Sequence, residues 1–345
     1  MTDQEISYPL ISILIPCLNE EKFIRNCLGS VIDSSYPKIC MEIFIIDGNS
    51  TDSTVDIVNE IIGSNKEIKI RIVHNPKKIF PCAVNLGIKE SSGEYIFILG
   101  SHAIYHKDYF SLSVSTSQKY NAGNTGGILI TEGLNKSIIG KAINNVLACP
   151  FGVGNSAFRT GADKISESDT VFGGCYTREA IDRIGLFNEN LRSTSDMDYN
   201  VRLKKNGGKI ILNPAIIATY YTRNDFMKFE KNNFRNGYWA IYPLRFVDYL
   251  PVTIRHLIPL FFVCGVMGGI VLAMVSKVLL IAFIVVLGSY LMAAIFFAVK
   301  YIRYGLVNLF LLPCLFLLTH LTYGTGSLWG LIKVLFFRVV GLIKR

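Results

Sequence analysis

The feature that most limits how this chain can fold is a break in its chemistry near His256. Before it, apolar runs alternate with turns of Gly, Asn and Asp. After it, Leu257–Val275 and Val278–Val299 each run without a charged residue. A helix rises ~1.5 Å per residue and the hydrocarbon layer is ~30 Å thick, so each stretch is long enough to cross a bilayer. The expectation is a soluble α/β region over residues 1–224, an interfacial amphipathic segment over 225–255, and transmembrane helices with a basic tail over 256–345. An enzyme-sized domain tied to a bilayer at its C-terminal end points to a reactant that is itself held in the membrane.

Charge supports that layout. The 345 residues carry a net charge of +9. Basic residues border the apolar stretches: Lys228, Lys231, Arg235, Arg245 and Arg255 before the first, Lys300 and Arg303 after the second, and Lys333, Arg338, Lys344 and Arg345 at the end. This suits anionic headgroups and a multi-pass protein of the cell membrane whose soluble region is cytoplasmic. There is no basic stripe with interleaved aromatics, so nucleic acid is not expected as a partner. Three crossings would leave the basic C-terminus on the wrong side. Either Leu306–Tyr323 is then re-entrant, or Leu328–Ile343 returns across the bilayer or lies along it. Eight scattered cysteines without a CxxC pair indicate neither zinc nor a disulfide framework and fit a reducing compartment. Met1–Ser7 is polar and lacks a signal-peptide pattern.

The first hundred residues alternate strand and helix patterns. Ile11–Pro16, Glu42–Ile46, Ile68–His74 and Glu94–Leu99 read as strands. Phe23, Ile24, Cys27, Leu28 and Val31 recur at helical spacing, and Ser53–Ile62 and Pro81–Ser91 read as helices. Such alternation implies a parallel sheet covered on both faces, with ligands beyond the carboxyl ends of its strands. Asn19/Glu20, Asp47 and Ser101/His102 stand at those ends. Further on, Phe151–Arg159 reads as a Gly-rich loop and Arg178–Ile184 as a short helix. Asp196–Asn206 reads as a helix closed by Gly207-Gly208, Lys209–Asn213 as a strand, and Asp225–Tyr242 as an interfacial helix. No GxGxxG follows Ile11–Asn19, which disfavours a dinucleotide oxidoreductase.

The ordered motifs IPCLNEEKFIRNCLGSV, IFIIDGNSTDST and NLGIKESSGEYIFIL resemble the opening of family 2 glycosyltransferases of the GT-A fold. FGVGNSAFR, REAIDRIGLFNENL, SDMDYNVRLKKNGGKIILNP, NNFRNGYW and HLTYGTGSLWGLIK narrow the resemblance to the ExoA-like, succinoglycan-type membrane glycosyltransferases. The resemblance implies a Rossmann-like, mostly parallel sheet followed by membrane helices. It also implies inverting transfer of a sugar from a nucleotide sugar, UDP-linked by expectation, to a lipid-linked polyprenyl acceptor in cell-surface polysaccharide or glycan assembly. Two alternatives stay open: a polyprenyl-phosphate glycosyltransferase, and a degenerate nucleotide-sugar-binding partner subunit.

Residue by residue, the resemblance places Asp47 on the uracil of the donor, where a carboxylate accepts from a base N–H. Pro16, Asn19 and Glu20 would join it there, although a turn at Asp47 and a helix start at Asn19-Glu20 are the plainer readings. Gly100-Ser101-His102 occupies the place of the metal motif. His102 keeps the metal-facing position, Ser101 lies beside the donor, and Gly100 stands where the first carboxylate would be. One imidazole with phosphate oxygens suits Mn²⁺ better than Mg²⁺. Asp196, in Ser195-Asp196-Met197-Asp198, matches the catalytic base, with Ser195 replacing the usual acid; helix capping by Asp196 or Asp198 is the alternative. Arg235, in Asn232-x-x-Arg235, matches a phosphate- or acceptor-holding position, against snorkelling to lipid. Lys78 reaches a donor phosphate or is a solvated charge. Phe151–Arg159 would line the acceptor side or merely pack.

Overall fold

The apolar runs of the first hundred residues become four strands. The computed structural model describes residues 8–133, 137–222 and 225–343. In it β1 (Ile11–Cys17), β2 (Met41–Asp47), β3 (Lys69–His74) and β4 (Tyr95–Ile98) are joined through α1 (Ile24–Ile32), α2 (Thr54–Ser64) and α3 (Phe80–Glu90). They pair in parallel in the order β3-β2-β1-β4, with Cys17 opposite Asp47 and Leu14 opposite Ile98. Every residue of β2 is buried, as expected where helices cover both faces.

Beyond β4 the sheet becomes mixed. β5 (Ala103–Tyr105), α4 (Tyr109–Tyr120) and β6 (Asn124–Gly133) follow. The chain then makes α5 (Ile138–Leu147) and two short turns of helix, α6 (Pro150–Val153) and α7 (Ala157–Thr160). It returns as β7 (Ser166–Glu167), β8 (Phe172–Thr177), α8 (Arg178–Ile184), α9 (Ser195–Lys205) and β9 (Ile210–Thr222). The full order is β3-β2-β1-β4-β8-β6-β9-β5, with β7 also on β9; β8 is antiparallel to β4, and β5 and β7 are antiparallel to β9. The parallel part is therefore the half that the strand–helix alternation marks. One core cluster joins Leu14, Phe44, Ile46, Ile96 and Ile98 of the strands to Val84 and Ile88 of α3 and Tyr199 of α9. Phe97 meets Phe110 of α4 edge-on, with ring centroids 4.9 Å apart.

Two expectations from the sequence change. The strand expected to stop at Asn213 continues through Pro214. Leu212, before the proline, pairs with β7, and Ala218, after it, pairs with β5. Asn213 Oδ1 accepts from Ala215 N at 3.0 Å and bridges the residue that has no N–H. The Gly-rich loop Phe151–Arg159 is two helical turns parted at Gly154, whose φ of 68° ends the first.

Contacts divide the chain into two units, Met1–Ile130 with Gly161–Tyr221, and Thr131–Thr160 with Thr222–Arg345. The second is helical, adding α10 (Phe226–Ile241), α11 (Ile258–Ala273), α12 (Lys277–Val299) and α13 (Asn308–Ile343). Three helical stretches, Ile254–Ala273, Lys277–Val299 and Asn308–Val340, are long and apolar enough to cross a membrane. α13 has no break between Leu306–Tyr323 and Leu328–Ile343, so neither a re-entrant loop nor a separate returning helix forms there. α10 and α13 run side by side in the same direction. Thr322 donates to Glu230, Ser327 Oγ donates to Gly237 O at 3.0 Å, and Arg338 donates to Leu244 O at 3.3 Å. Glycine allows this approach: a Cβ on Gly326 would meet the Phe234 backbone, and one on Gly237 the Tyr323 backbone. Met1–Ser7, Lys344 and Arg345 lie outside the described residues.

Candidate functional site

The carboxyl ends of β1 and β2 are tied together by their own turns. Asn19 has a φ of 57° and Asn49 a φ of 68°, left-handed positions that asparagine tolerates. Asn19 Oδ1 accepts from Thr51 N at 2.8 Å, and Asn19 N donates to Ser50 Oγ at 2.9 Å. Glu20 N donates to Thr54 Oγ1 at 2.7 Å. Asp47 accepts from Asn49 N at 3.0 Å and Ser50 N at 3.1 Å, a side-chain turn that fixes its carboxylate. The plain reading of Asp47 as a turn former is thus met, and the carboxylate keeps lone pairs for a further donor. Asn19 spends its carbonyl on the neighbouring loop, and Pro16 sits within β1 opposite Ile46.

The strand ends are negative. Burial raises the Cys17 thiol to about 12, and the charges of Asp47, Glu20 and Asp52 add to that rise. Across from them, His102 lies between β4 and β5. Its Nε2 is 3.0 Å from Glu20 Oε2, with side chains 21% and 10% exposed. The Phe23 ring lies 4.4 Å from the His102 ring and the Tyr220 ring 6.2 Å from it. Ser101 is buried beside it. Imidazole and carboxylate oxygen fit the divalent cation that the resemblance implies, Mn²⁺ in particular. Among the described residues no group of three or more His, Cys, Asp or Glu could enclose an ion. A cation here would therefore take its other ligands from donor phosphates and water.

Asp196 and Asp198, two residues apart in the first turn of α9, separate cleanly in the structure. Asp198 is fully buried and accepts from Arg202 Nε at 3.0 Å, one helical turn on. Arg202 also donates to Ile184 O and Leu186 O, so Asp198 anchors the α8–α9 junction. Asp196 presents its side chain to solvent at the start of α9. Although its side chain reaches solvent, the protein around it raises its pKa from the ordinary aspartate value, with desolvation the largest cause and backbone N–H donors opposing it. Its charge in turn acts on buried Tyr176 of β8.

The structure thus gathers Asn19, Glu20, Asp47 and His102 at one end of the parallel strands and holds Asp196 in the same unit. Lys78 is exposed on left-handed backbone (φ 57°) and makes no ion pair among the described residues; its neighbour Lys77 holds Glu189 at 2.6 Å. Arg235 lies exposed on α10 in the other unit. The sequence gives no hint of the Glu20–His102 pairing, which joins residues of no shared motif. Tyr220 and Phe172, whose rings are 6.3 Å apart, were likewise hidden in stretches without strand alternation.

With that geometry in view, the sequence profile described as Glycosyl transferase family 2 matches residues 12–184. A dolichyl N-acetyl-alpha-D-glucosaminyl phosphate 3-beta-D-2,3-diacetamido-2,3-dideoxy-beta-D-glucuronosyltransferase of Methanococcus voltae is 32% identical over 234 residues, 66% of this chain and 71% of that protein. The succinoglycan biosynthesis protein ExoA of Rhizobium meliloti is 27% identical over 225 residues, 65% of this chain and 66% of its own. Among solved structures, a mannosyltransferase from Pyrobaculum calidifontis in complex with GDP-Man and Mn²⁺ superposes with a TM-score of 0.65. At 15% identity it covers 94% of this chain and 88% of its own, a likeness of fold.

Proposed function

The chain belongs to glycosyl transferase family 2, and from that premise we propose that it is a membrane-held, inverting glycosyltransferase. It moves one sugar from a nucleotide sugar, with UDP as the nucleotide, to a lipid-linked acceptor in cell-surface polysaccharide or glycan assembly. The observation that carries this reading is the division of labour on α9. Asp198 is locked by Arg202, while Asp196 is exposed and makes no ion pair among the described residues, which leaves its carboxylate available as a general base. The acceptor class draws support from the Methanococcus relative, whose name assigns it a dolichyl-linked sugar phosphate.

In this mechanism the Asp47 carboxylate, fixed by Asn49 and Ser50, accepts from the donor's base and sets its register. The acceptor oxygen attacks the anomeric carbon as the bond from that carbon to the diphosphate breaks. Asp196 takes the acceptor's proton, and the nucleoside diphosphate leaves with the bonding pair. One displacement inverts the anomeric centre. A divalent cation, when bound beside His102, supplies positive charge to the departing diphosphate.

The second unit suits a membrane seat. α11 and α12 expose Phe261, Met267, Ile270, Val285, Leu291 and many other apolar side chains, as a hairpin that crosses a bilayer and returns would. α10 exposes Lys228, Lys231 and Arg235 while running beside the second half of α13. That half turns Trp329, Ile332, Phe336 and Val339 outward at helical spacing. A charged face next to an apolar stripe belongs at the headgroup boundary, so we read α10 and this half of α13 as lying along the cytoplasmic surface. Impermeant maleimide labelling, read peptide by peptide, tests it. Lys231→Cys and Lys333→Cys should label from one side and Val275→Cys from the other; labelling of positions 333 and 275 from the same side removes the arrangement.

The activity test uses the full chain in bilayer discs with lipid-linked sugar acceptors and a panel of UDP- and GDP-sugars. Release of nucleoside diphosphate with a sugar-extended lipid supports the reading. Single-sugar lipid monophosphate as the only product would replace it with polyprenyl-phosphate glycosylation, and tight UDP binding without turnover with a partner subunit.

A further inference from the structure

We propose that Glu20 and His102 together form the protein's half of a divalent-cation site, with Glu20 as a direct ligand. The proposal rests on the nucleotide-sugar reading above and adds to it a residue that the motif resemblance assigns elsewhere.

The geometry is the first argument. Two ligands at right angles on an ion, each about 2.1 Å from it, stand about 3.0 Å apart. Glu20 Oε2 and His102 Nε2 are 3.0 Å apart. Both side chains are mostly enclosed yet reach the same point from different elements, one from the turn after β1 and the other from the turn after β4. The Phe23 ring packs 4.4 Å from the imidazole and limits its rotation. A pre-oriented imidazole beside a carboxylate is the donor set that Mn²⁺ takes readily.

Charge is the second argument. Asp47, Glu20 and Asp52 all press on Cys17, and each raises its pKa. A nucleoside diphosphate brings further negative charge to this end of the strands. These carboxylates and a diphosphate repel each other at short range. A dication between Glu20, His102 and the phosphates turns that repulsion into coordination, with phosphate oxygens and water completing the shell.

The neighbourhood also supplies a rescue. Gly100 lies two residues before His102, and a Cβ built on it would meet only Phe172 Cζ, at 3.7 Å, an ordinary contact. Phe172 is next to Tyr220, which is itself beside His102. A carboxylate introduced at position 100 therefore enters the same neighbourhood without displacing backbone.

The experiment is a Mn²⁺ titration of the full chain followed by electron paramagnetic resonance, with Mn²⁺ alone and with UDP or GDP, and with no sugar or acceptor present. Glu20→Gln should weaken Mn²⁺ by more than the ~10–100-fold that losing an outer-shell partner costs and keep the imidazole-nitrogen coupling in the pulsed spectrum. His102→Ala should abolish that coupling. Gly100→Asp should tighten Mn²⁺ in the native background and restore much of the loss in Glu20→Gln. Binding by Glu20→Gln as tight as by the unmodified chain overturns the proposal, as does a nitrogen coupling that survives His102→Ala. A failure of nucleotide to bind in any arm would count against the donor reading, whereas the Mn²⁺-only arm still decides the ligand assignment.

Discussion

The two ends of β2 hold buried carboxylates in opposite conditions. Near its start, Glu42 is 2% exposed and saturated: it accepts from Ser12 Oγ at 2.8 Å, Ser92 N at 2.6 Å, Ser92 Oγ at 3.0 Å and Lys69 Nζ at 2.9 Å. Burial works against its charge, but those donors win and hold its pKa down at about 2. At its end, Asp47 is nearly as buried but accepts from backbone N–H groups of its own turn and from the Cys17 thiol, within a patch where every charge acting on Cys17 is negative. The same functional group is paired with a lysine where the fold needs stability and makes no ion pair among the described residues where we propose that the donor binds. α9 repeats the contrast within one turn, with Asp198 paired to Arg202 and Asp196 open.

The largest expected effect comes from exchanging the roles on α9. Asp196→Asn should lower kcat by roughly 10²–10⁴-fold with the donor KM little changed. It should also raise Tm slightly. An acid whose folded pKa is raised costs stability once pH exceeds its unfolded value, and the neutral amide removes that cost. Asp198→Asn should do the reverse, lowering Tm through loss of the Arg202 pair while folded protein stays active. Equal loss of turnover in both variants would erase the distinction between them.

Next in size is Asp47→Ala. If the carboxylate accepts from the donor's base, losing a charge-assisted hydrogen bond of about 1.5–3 kcal/mol weakens nucleotide binding roughly 10–100-fold, measured by calorimetry. Unchanged affinity would leave Asp47 as a turn former only.

Glu42→Gln tests the other end. Its folded pKa of about 2 is below its ordinary 4.5, so its stabilisation is fully present above about pH 4.5 and is lost as pH falls toward 2. The variant should unfold about 1–3 kcal/mol more easily at pH 7, and its Tm should vary less than that of the native chain between pH 5 and 2. A parallel pair of pH curves would contradict the assignment.

Which of these carboxylates the sequence reveals follows from how each is held. Asp47 and Glu20 stand at the ends of apolar strands, so strand pattern locates them, whereas Asp196 is marked out by the motif resemblance, since a helix start does not tell it from Asp198. What stayed hidden depends on distant contact. Glu20 and His102 meet only because β1 and β4 are neighbours in the sheet, a pairing that no local period encodes. Glu42 looks like an ordinary strand acid until Ser92, from the turn before β4, closes over it. β8 escaped because its run Phe172-Gly173-Gly174-Cys175 lacks alternation. The reading of β9 stops at Asn213 because Pro214 argues against a continuation that the strand's two sets of partners allow.

The smallest effect sharpens the comparison most. Ser12 Oγ donates to Glu42 and accepts from Gly93 N at 2.8 Å, so it is shared between the buried acid and the turn before β4. Ser12→Ala removes one of the donors to Glu42 and leaves a buried N–H without its acceptor, at a cost of about 1–2 kcal/mol. Glu42 keeps Lys69 and Ser92, so its pKa should rise only in part, and the acid-side loss of stability should begin at a slightly higher pH. Ser12 belongs to the same strand as Pro16 and the same sheet as Asp47, yet it lies at the far end of both. Nucleotide affinity should therefore match that of the native chain within error while Tm falls. If Ser12→Ala weakens nucleotide binding as well, the two ends of the parallel strands are coupled, and the separation of a stabilising end from a binding end fails.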